Sequence, residues 1–501
     1  MGAGKSKAAR AVAKVAGGQA IDTDALLEAE LGGSIAEFFE REGEAEFRRR
    51  EEKLVCRVLS EAHGAPIALG GGSVTSARVR EALRDHATVW LDVGSDDAWA
   101  RVEHSDRPLA GDRARFDALH ADRVPLYESI SDAVVPARRD IVAHALDSLL
   151  ALRELPPQTR LAWGQSSSGE YPAFIGPGLL TSGYWPVAGR RFLVTDTLVG
   201  ELYAGALGEV AGEVSVAPGE QSKTLSETER VLRELATLGM TRSDHIAALG
   251  GGVVGDLAGF CAATYQRGVG VVQVPTSLVG QVDSAYGGKT GVDLPEAKNY
   301  VGAYHLPQAV IADTATLGTL PPAELAAGFV EVIKTALIAG GALWERVRAI
   351  EAIDPRGLDD VIFACARTKL EIVAADERDA GRRAVLNLGH TVGHAIESAS
   401  GYQRYRHGEA VGLGLLATLR LSGASQLRDE VAELLGRHGL PVRIDESLDL
   451  DAVLSGIARD KKRTVQGVGF VLVDAPGNVV TARAVEPDRV RAAVEELYGE
   501  R

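Results

Sequence analysis

The chain has 501 residues, 46% hydrophobic and 25% charged, which is the balance of a folded globular protein and excludes a fibrous or largely disordered one. At roughly 100–200 residues per domain this length implies three or four units, and no apolar run reaches the ~18 residues of a membrane span. A formal net charge of −15 argues against a nucleic-acid partner or an anionic membrane surface, while leaving room for basic pockets that hold small anions.

Residues 1–150 alternate helical patterns with strand-like runs such as Pro66-Ile-Ala-Leu and Thr88-Val-Trp-Leu-Asp-Val, which predicts an α/β layer. The breakers Leu155-Pro-Pro-Gln and Gly164-Gln-Ser-Ser-Ser-Gly169 mark residues 151–175 as a linker leading into a short hairpin. A second α/β series occupies 176–320, with strands expected at Phe192-Leu-Val-Thr-Asp196, Glu213-Val-Ser-Val, His245-Ile-Ala-Ala-Leu and Val271-Val-Gln-Val. Helical segments between them make a parallel sheet with crossover helices the economical reading. From 321 to 501 the pattern is helical, apart from a strand-like Gly469-Phe-Val-Leu-Val473. The three cysteines, Cys56, Cys261 and Cys365, are far apart in sequence, so no disulfide framework is indicated and a reducing cytoplasmic setting is expected.

Several segments carry chemistry. Gly2-Ala-Gly4-Lys5-Ser6 reads as the end of a phosphate-binding loop, although Met1-Gly-Ala-Gly-Lys-Ser also fits an N-myristoylation pattern. Gly250-Gly-Gly-Val-Val-Gly255-Asp256 follows a strand-like run and opens a helix, a place where glycine amides and a helix N-terminus hold a pyrophosphate; a glycine turn without a ligand has the same letters. Three of the 11 histidines fall within eighteen residues at His390, His394 and His407. On a helix the four-residue spacing puts His390 and His394 on one face, as two metal ligands or as two satisfied polar side chains. Glu331 and His407 tip that balance toward metal, because a Glu and two His suit zinc with positions left open for substrate. Lys289, Lys298, Lys334, Lys369, Arg383, Lys461 and Lys462 gather cations in an acidic chain, which suggests a phosphate and a carboxylate to be held.

From about Ala162 onward these motifs, with Tyr265-Gln-Arg267-Gly, Pro275-Thr276-Ser, Gln281-Val-Asp283-Ser, Gly287-Gly-Lys289-Thr-Gly, Glu331-Val-Ile-Lys334, Asn387-x-Gly-His390-x-x-x-His394, His407-Gly-Glu409 and Asp460-Lys-Lys, resemble 3-dehydroquinate synthase. The resemblance implies an NAD-binding α/β domain, a mostly helical metal-binding domain and a cyclisation. In it NAD oxidises a hydroxyl, phosphate is eliminated, the carbonyl is reduced again and the ring recloses by aldol addition. It makes Glu331, His390 and His407 the ligands of Zn2+ or Co2+, and turns His394 toward substrate. Asp196, Glu220, Lys223, Gly251, Gly252, Val253, Asp256, Thr276, Lys298 and Asn299 are then expected at NAD. Asp283, Lys289, Lys334, Lys369, Arg383, Asn387, His394 and Lys461 or Lys462 are expected at substrate. Arg267 is expected to reach a neighbouring subunit's site, implying a homodimer. Leu198 and Tyr300 depart from the family pattern without touching the metal ligands.

The N-terminal part, through Asp22-Thr-Asp24, Gly43-Glu44-Ala-Glu-Phe47-Arg48, Gly70-Gly-Gly72, Arg107-Pro-Leu and Arg123-x-Pro-Leu-Tyr127, resembles shikimate kinase. That resemblance puts Gly2, Gly4, Lys5 and Ser6 at ATP and Mg2+, Asp22 in the magnesium shell, Asp24, Arg48, Gly71, Gly72 and Arg123 at shikimate, and Arg107 over the transferred phosphate. The chain starts inside the phosphate loop, and Lys7 stands where a Thr is usual. A P-loop sheet without its first, central strand is therefore expected, with either a start codon placed too late or an impaired kinase. The whole predicts a shikimate-pathway fusion whose partners are a phosphorylated sugar acid and shikimate. The alternatives are another sugar-phosphate cyclase or a polyol dehydrogenase, and an N-terminal module that only mediates interaction.

Overall fold

The computed structural model describes residues 2–62, 64–103, 112–138, 141–458, 463–464 and 467–499. Arg107, Lys461 and Lys462 lie outside them. The chain divides into two compact units, Met1–Trp163 and Gly164–Arg501.

In the first unit, Gly4 in a left-handed conformation (φ 79°) starts the Lys5–Ala16 helix. Strand β1 (Ile21–Asp22) ends on the residue that caps the next helix, Thr23–Leu31, because the Asp22 carboxylate accepts the amides of Asp24 and Ala25 at 3.1 and 3.4 Å. The long Ile35–Glu61 helix opens on a Ser34/Glu37 capping box and kinks at Gly43. Its apolar face packs Phe47, Leu54, Val55 and Val58 against Leu27 and Val79. Strand β1 pairs in parallel with β2 (Ile67–Ala68), and β3 (Val89–Asp92) with β4 (Ala133–Pro136), which also pairs with the start of β5 (Arg160–Gln165). Among the described residues no ladder joins these two pieces.

The second unit is built on β6 (Glu170–Gly176), β7 (Arg191–Asp196), β8 (Gly212–Val216), β9 (His245–Gly250), β10 (Gly270–Pro275) and β13 (Ala309–Asp313), ordered β6-β13-β10-β9-β7-β8 with every neighbour parallel. Runs rich in Val, Ile, Leu and Ala are buried along β9, β10 and β13, which is how a sheet covered on both faces reads in sequence. The crossover helix Gly252–Thr264 follows β9 directly and packs Leu257, Ala258 and Cys261 into the core. An antiparallel hairpin, β11 (Lys289–Leu294) and β12 (Ala297–Tyr304), precedes β13.

After β13 the chain is helical. Pro322 opens the Pro322–Ala339 helix, where its missing amide proton costs nothing. The helices Asp359–Ala375, His390–Ala399 and His407–Leu421 follow, then a small antiparallel sheet of Arg463–Thr464, Gly467–Ala475 and Asn478–Ala484. Two glycines set the spacing of these helices. A β-carbon on Gly408 would lie 1.8 Å from the Ala327 carbonyl oxygen, and one on Gly414 would lie 2.0 Å from that of Gly389. Only glycine lets the His407 helix touch both the helix of Glu331 and the start of the helix of His390. Among the described residues no helix is long and apolar enough to cross a membrane.

Candidate active site and metal centre

Three helices each contribute one ligand-bearing side chain to a point in the second unit. Glu331 comes from the Pro322–Ala339 helix, His390 from the first position of its helix, and His407 from the first position of the next. Glu331 is 1% exposed, and neither carboxylate oxygen has a hydrogen-bond partner among the described residues, although the Lys334 ammonium lies beside one of them. The other faces His390 Nε2 at 3.6 Å and His407 Nε2 at 3.4 Å. The far nitrogens of both rings are tied down: His390 Nδ1 donates to the Leu388 carbonyl at 3.1 Å and His407 Nδ1 to Glu397 Oε2 at 3.3 Å. Each imidazole therefore presents its free nitrogen to the same carboxylate oxygen, and one ligand atom from each of the three residues falls within 4.8 Å of the others.

A second grouping, His394, Glu397 and His407, also comes within that distance. It is the poorer donor set, because Glu397 already accepts from His407 and from Lys298, whose ammonium is 3.1 Å away. The electrostatics favour a cation at the first grouping. Burial pushes the Glu331 carboxyl up, but Lys334, His390 and His407 outweigh it and hold it well below the ordinary carboxylate range. Burial pushes His407 down, yet the carboxylates of Glu331 and Glu397 raise it to about 10. At the same point burial pushes His390 well down despite Glu331, so that ring is neutral, the form in which an imidazole binds a divalent ion.

Next to this point Asp283 bridges two lysines. It lies 2.8 Å from Lys334 and closer still to Lys369. Burial raises its carboxyl, but Lys334 and Lys369 bring it down to about 2, whereas burial outweighs Asp283 at Lys369 and lowers that ammonium. Arg383 is buried with its guanidinium donating to the carbonyls of Glu377 and Gly287 at 2.5 and 3.1 Å, leaving Nε without a partner among the described residues. Lys289 pairs with Asp379, and Asn387 donates to the Ala384 carbonyl at 3.3 Å. The His394 ring lies 5.2 Å from that of His390.

The expected nucleotide residues gather at the carboxyl ends of the strands. Gly251 and Gly252 open the helix after β9, the Thr276 amide donates to the Gly250 carbonyl at 3.0 Å, and Asp196 at the end of β7 accepts the amides of Leu198 and Val199. This is where parallel α/β sheets bind ligands. Lys223 links Asp256 and Asn299, each at 2.6 Å, and Lys298 lies 3.6 Å from Glu220. Arg267 is exposed, at the end of a turn in which it and Gln266 both have positive φ.

In the first unit Arg48 donates to Glu51 at 2.6 Å and to Glu44 at 3.3 Å, and Glu51 also accepts from Ser73 at 3.0 Å. A β-carbon on Gly72 would meet the Arg48 guanidinium at 2.1 Å, and one on Gly70 would meet the carboxylates of Glu51 and Asp24 at 2.5 and 2.8 Å. Tyr127 donates to the Gly71 carbonyl at 2.6 Å, and Arg123 is buried with an Nε that has no partner among the described residues. Asp24, Arg48 and the 70–72 loop are thus brought together, while Lys5 and Ser6 stand at the start of the first helix. Glu51 and Ser73 here, and Glu397 in the second unit, join these sites although no motif in the sequence marks them. Glu397, three residues after His394 and seven after His390, lies on the histidine face of its helix, which was the available signal.

Residues 213–327 match the family model of the 3-dehydroquinate synthase N-terminal domain and 328–463 that of its C-terminal domain. The synthase of Symbiobacterium thermophilum is 42% identical over 350 residues, 65% of this chain and 98% of its own length, and that of Halorhodospira halophila is 42% identical over 352, 67% and 99%. The chain belongs to the 3-dehydroquinate synthase family. Residues 1–152 match the shikimate kinase model, so this synthase is a fusion with a shikimate-kinase domain, an enzyme of the shikimate pathway. Among solved structures, 2-deoxy-scyllo-inosose synthase shares the synthase fold at 24% identity and a TM-score of 0.60, covering 67% of this chain and 99% of its own. A 2-epi-5-epi-valiolone synthase from Streptomyces hygroscopicus with NAD+ and Zn2+ bound is 25% identical, with a TM-score of 0.57 over 65% of this chain and 96% of its own.

Proposed function

We propose that the second unit binds a divalent ion, zinc or cobalt, on Glu331, His390 and His407, binds NAD at the carboxyl ends of β7, β9 and β10, and converts 3-deoxy-D-arabino-heptulosonate 7-phosphate to 3-dehydroquinate with loss of phosphate. The observation that carries this reading is the buried Glu331 carboxylate, one oxygen beside Lys334 and the other facing two imidazole nitrogens. The NAD+ and Zn2+ of the valiolone synthase support the choice of cofactors. Identity of 42% to dehydroquinate synthases against 24–25% to the other two cyclases favours this substrate over theirs.

When bound, the metal supplies a Lewis acid for substrate oxygens and NAD a hydride acceptor that is regenerated in the same turnover. The chain's own residues do the rest. Lys334 and Lys369, held in place by Asp283, and Lys289 and Arg383 present fixed positive charge to the phosphate and carboxylate, in a site where preorganised charge is worth more than in water. His394 lies beside the metal ligands and is assigned to substrate, as is Asn387 in the preceding turn. The departing phosphate can itself take the proton, so no separate base is required.

The finer organisation follows from these roles: a kinase-like domain over 1–150, a connecting segment over 151–175, an NAD-binding part over 176–320 and a metal- and substrate-binding part over 321–501. In the kinase domain Lys5 and Ser6 would serve ATP and Mg2+, and Arg48, Asp24, Gly71, Gly72 and Arg123 shikimate. A cytoplasmic homodimer is the assembly we infer, with Arg267 directed to the neighbouring copy. The test is to incubate the metal-loaded protein with the heptulosonate phosphate and NAD+. Equimolar phosphate and 3-dehydroquinate are expected, and release of neither would reject the reading.

A further inference from the structure

Glu397 is 2% exposed, lies on the helix that begins with His390, and uses its two oxygens for two different partners. Oε2 accepts from Nδ1 of His407, and Oε1 faces the Lys298 ammonium at 3.1 Å. Lys298 is not part of the helical region. It belongs to β12 of the hairpin, where it also lies 3.6 Å from Glu220 and 4.7 Å from the centre of the Tyr402 ring. The next residue, Asn299, has φ of 54°, and its amide donates to Asp293 at 2.6 Å. Its side-chain oxygen accepts from Lys223, which in turn pairs with Asp256 on the helix after the glycine loop. Hydrogen bonds and ion pairs, joined by the peptide bond between Lys298 and Asn299, therefore connect the glycine-loop helix through Lys223, the β11–β12 hairpin and Glu397 to one imidazole of the metal centre.

We propose that Glu397 is a positioning residue for the metal centre, and that through Lys298 it makes metal retention and nucleotide binding depend on each other. The inference rests on the metal and NAD sites proposed above. By accepting from Nδ1, Glu397 fixes the tautomer and the ring angle of His407, so that Nε2 faces Glu331; partners of this kind typically change metal affinity about 10–100-fold when removed. Lys298 fixes the carboxylate in turn, and anything that orders the hairpin also orders Glu397. Reciprocity then requires that the factor by which NAD+ tightens metal binding equal the factor by which metal tightens NAD+ binding.

The full-length protein is stripped of metal, and Zn2+ affinity is measured by competition with a chromophoric chelator, with and without saturating NAD+. The wild type, Glu397→Gln, Glu397→Asp, Lys298→Gln and His407→Ala are compared, with circular dichroism as the folding control. Wild type should bind one ion, more tightly with NAD+. Both Glu397 variants should lose about 10–100-fold in affinity and most of the NAD+ effect, and the visible absorption of their Co2+ forms should shift. Glutamine keeps one partner at most, and aspartate is too short to span both, so either variant alone suffices if the other fails to fold. Lys298→Gln should keep more of the metal affinity and lose the NAD+ dependence. Wild-type affinity in a folded Glu397 variant overturns the proposal, as does a metal affinity that NAD+ leaves unchanged in the wild type. Weakened affinity with an intact NAD+ effect in the Glu397 variants reduces Glu397 to a structural residue and also overturns it. Absence of Zn2+ binding in the wild type, or its full retention by His407→Ala, would instead reject the metal site itself.

Discussion

Replacing Asp283 by Asn removes one charge from a buried cluster of four. Lys334 keeps Glu331 beside it, but Lys369 loses the carboxylate that does most to hold its proton, while Arg383 and Lys334 go on repelling it. At 2.8 Å and an effective dielectric of about 20, the Lys334 contact alone is a Coulomb interaction of about 6 kcal/mol before desolvation is counted. Removing one partner of a buried pair costs about 3–5 kcal/mol net. The lower end is favoured, because Lys369 is already depressed by burial and can shed its proton when Asp283 is gone. At an unfolding entropy of ~2.1 cal/mol/K per residue, a unit of this size loses about 1.4 °C per kcal/mol, so Tm should fall by about 4–7 °C. Calorimetry of the full chain, following the transition of the second unit separately from the first, measures it. Adding Lys369→Met to Asp283→Asn removes the stranded ammonium and should restore part of the loss. A shift below about 1 °C, or no recovery in the double variant, would refute the reasoning that these groups are charged, buried and mutually dependent.

Gly408→Ala pushes the His407 helix away from the Ala327 carbonyl and with it moves His407 from Glu331. It should cost about 1–3 kcal/mol or more and lower the zinc content of the purified protein, read by elemental analysis against a thermal melt. Asp244 is held at about 2, below its ordinary 3.8, chiefly by hydrogen bonds from Arg190 at 3.0 and 2.8 Å. A depressed carboxylate contributes stability that is complete above its unfolded pKa and is lost as pH falls through its folded pKa. Because Arg190 is half exposed, this contribution is about 1 kcal/mol. Between pH ~4 and ~2 the wild type should therefore lose about that much more stability than Asp244→Asn in urea titrations, and parallel pH profiles would contradict it. In the kinase domain, Arg123→Met should raise the KM for shikimate with little change in that for ATP, measured by ADP production.

The α/β half was legible because Phe192–Asp196, His245–Gly250 and Val271–Pro275 are apolar runs between helical segments, and a parallel sheet buried on both faces leaves that trace. The order of its strands was not, since pairing β6 with β13 joins residues more than a hundred positions apart, and nothing in either run names the other. The same limit applies at the metal centre. Periodicity within one helix suggested His390 with His394, whereas the geometry sets His390 and His407 on two helices against a Glu on a third. Only the family resemblance pointed to that trio. Asp283, Lys334 and Lys369 come together from a short π-helix and two separate helices, and Glu397 carries no sequence signal of its role because its partners, Lys298 and His407, lie far away in sequence or on another helix.

Elemental analysis of the purified wild type, His394→Asn and His407→Ala tests the central assignment most directly. One divalent ion per chain should be found in the wild type and in His394→Asn, the latter with little turnover, and His407→Ala should come out nearly metal-free. A His394 variant that loses its ion while the His407 variant keeps it would contradict the assignment and return the site to the pair of histidines on a single helical face.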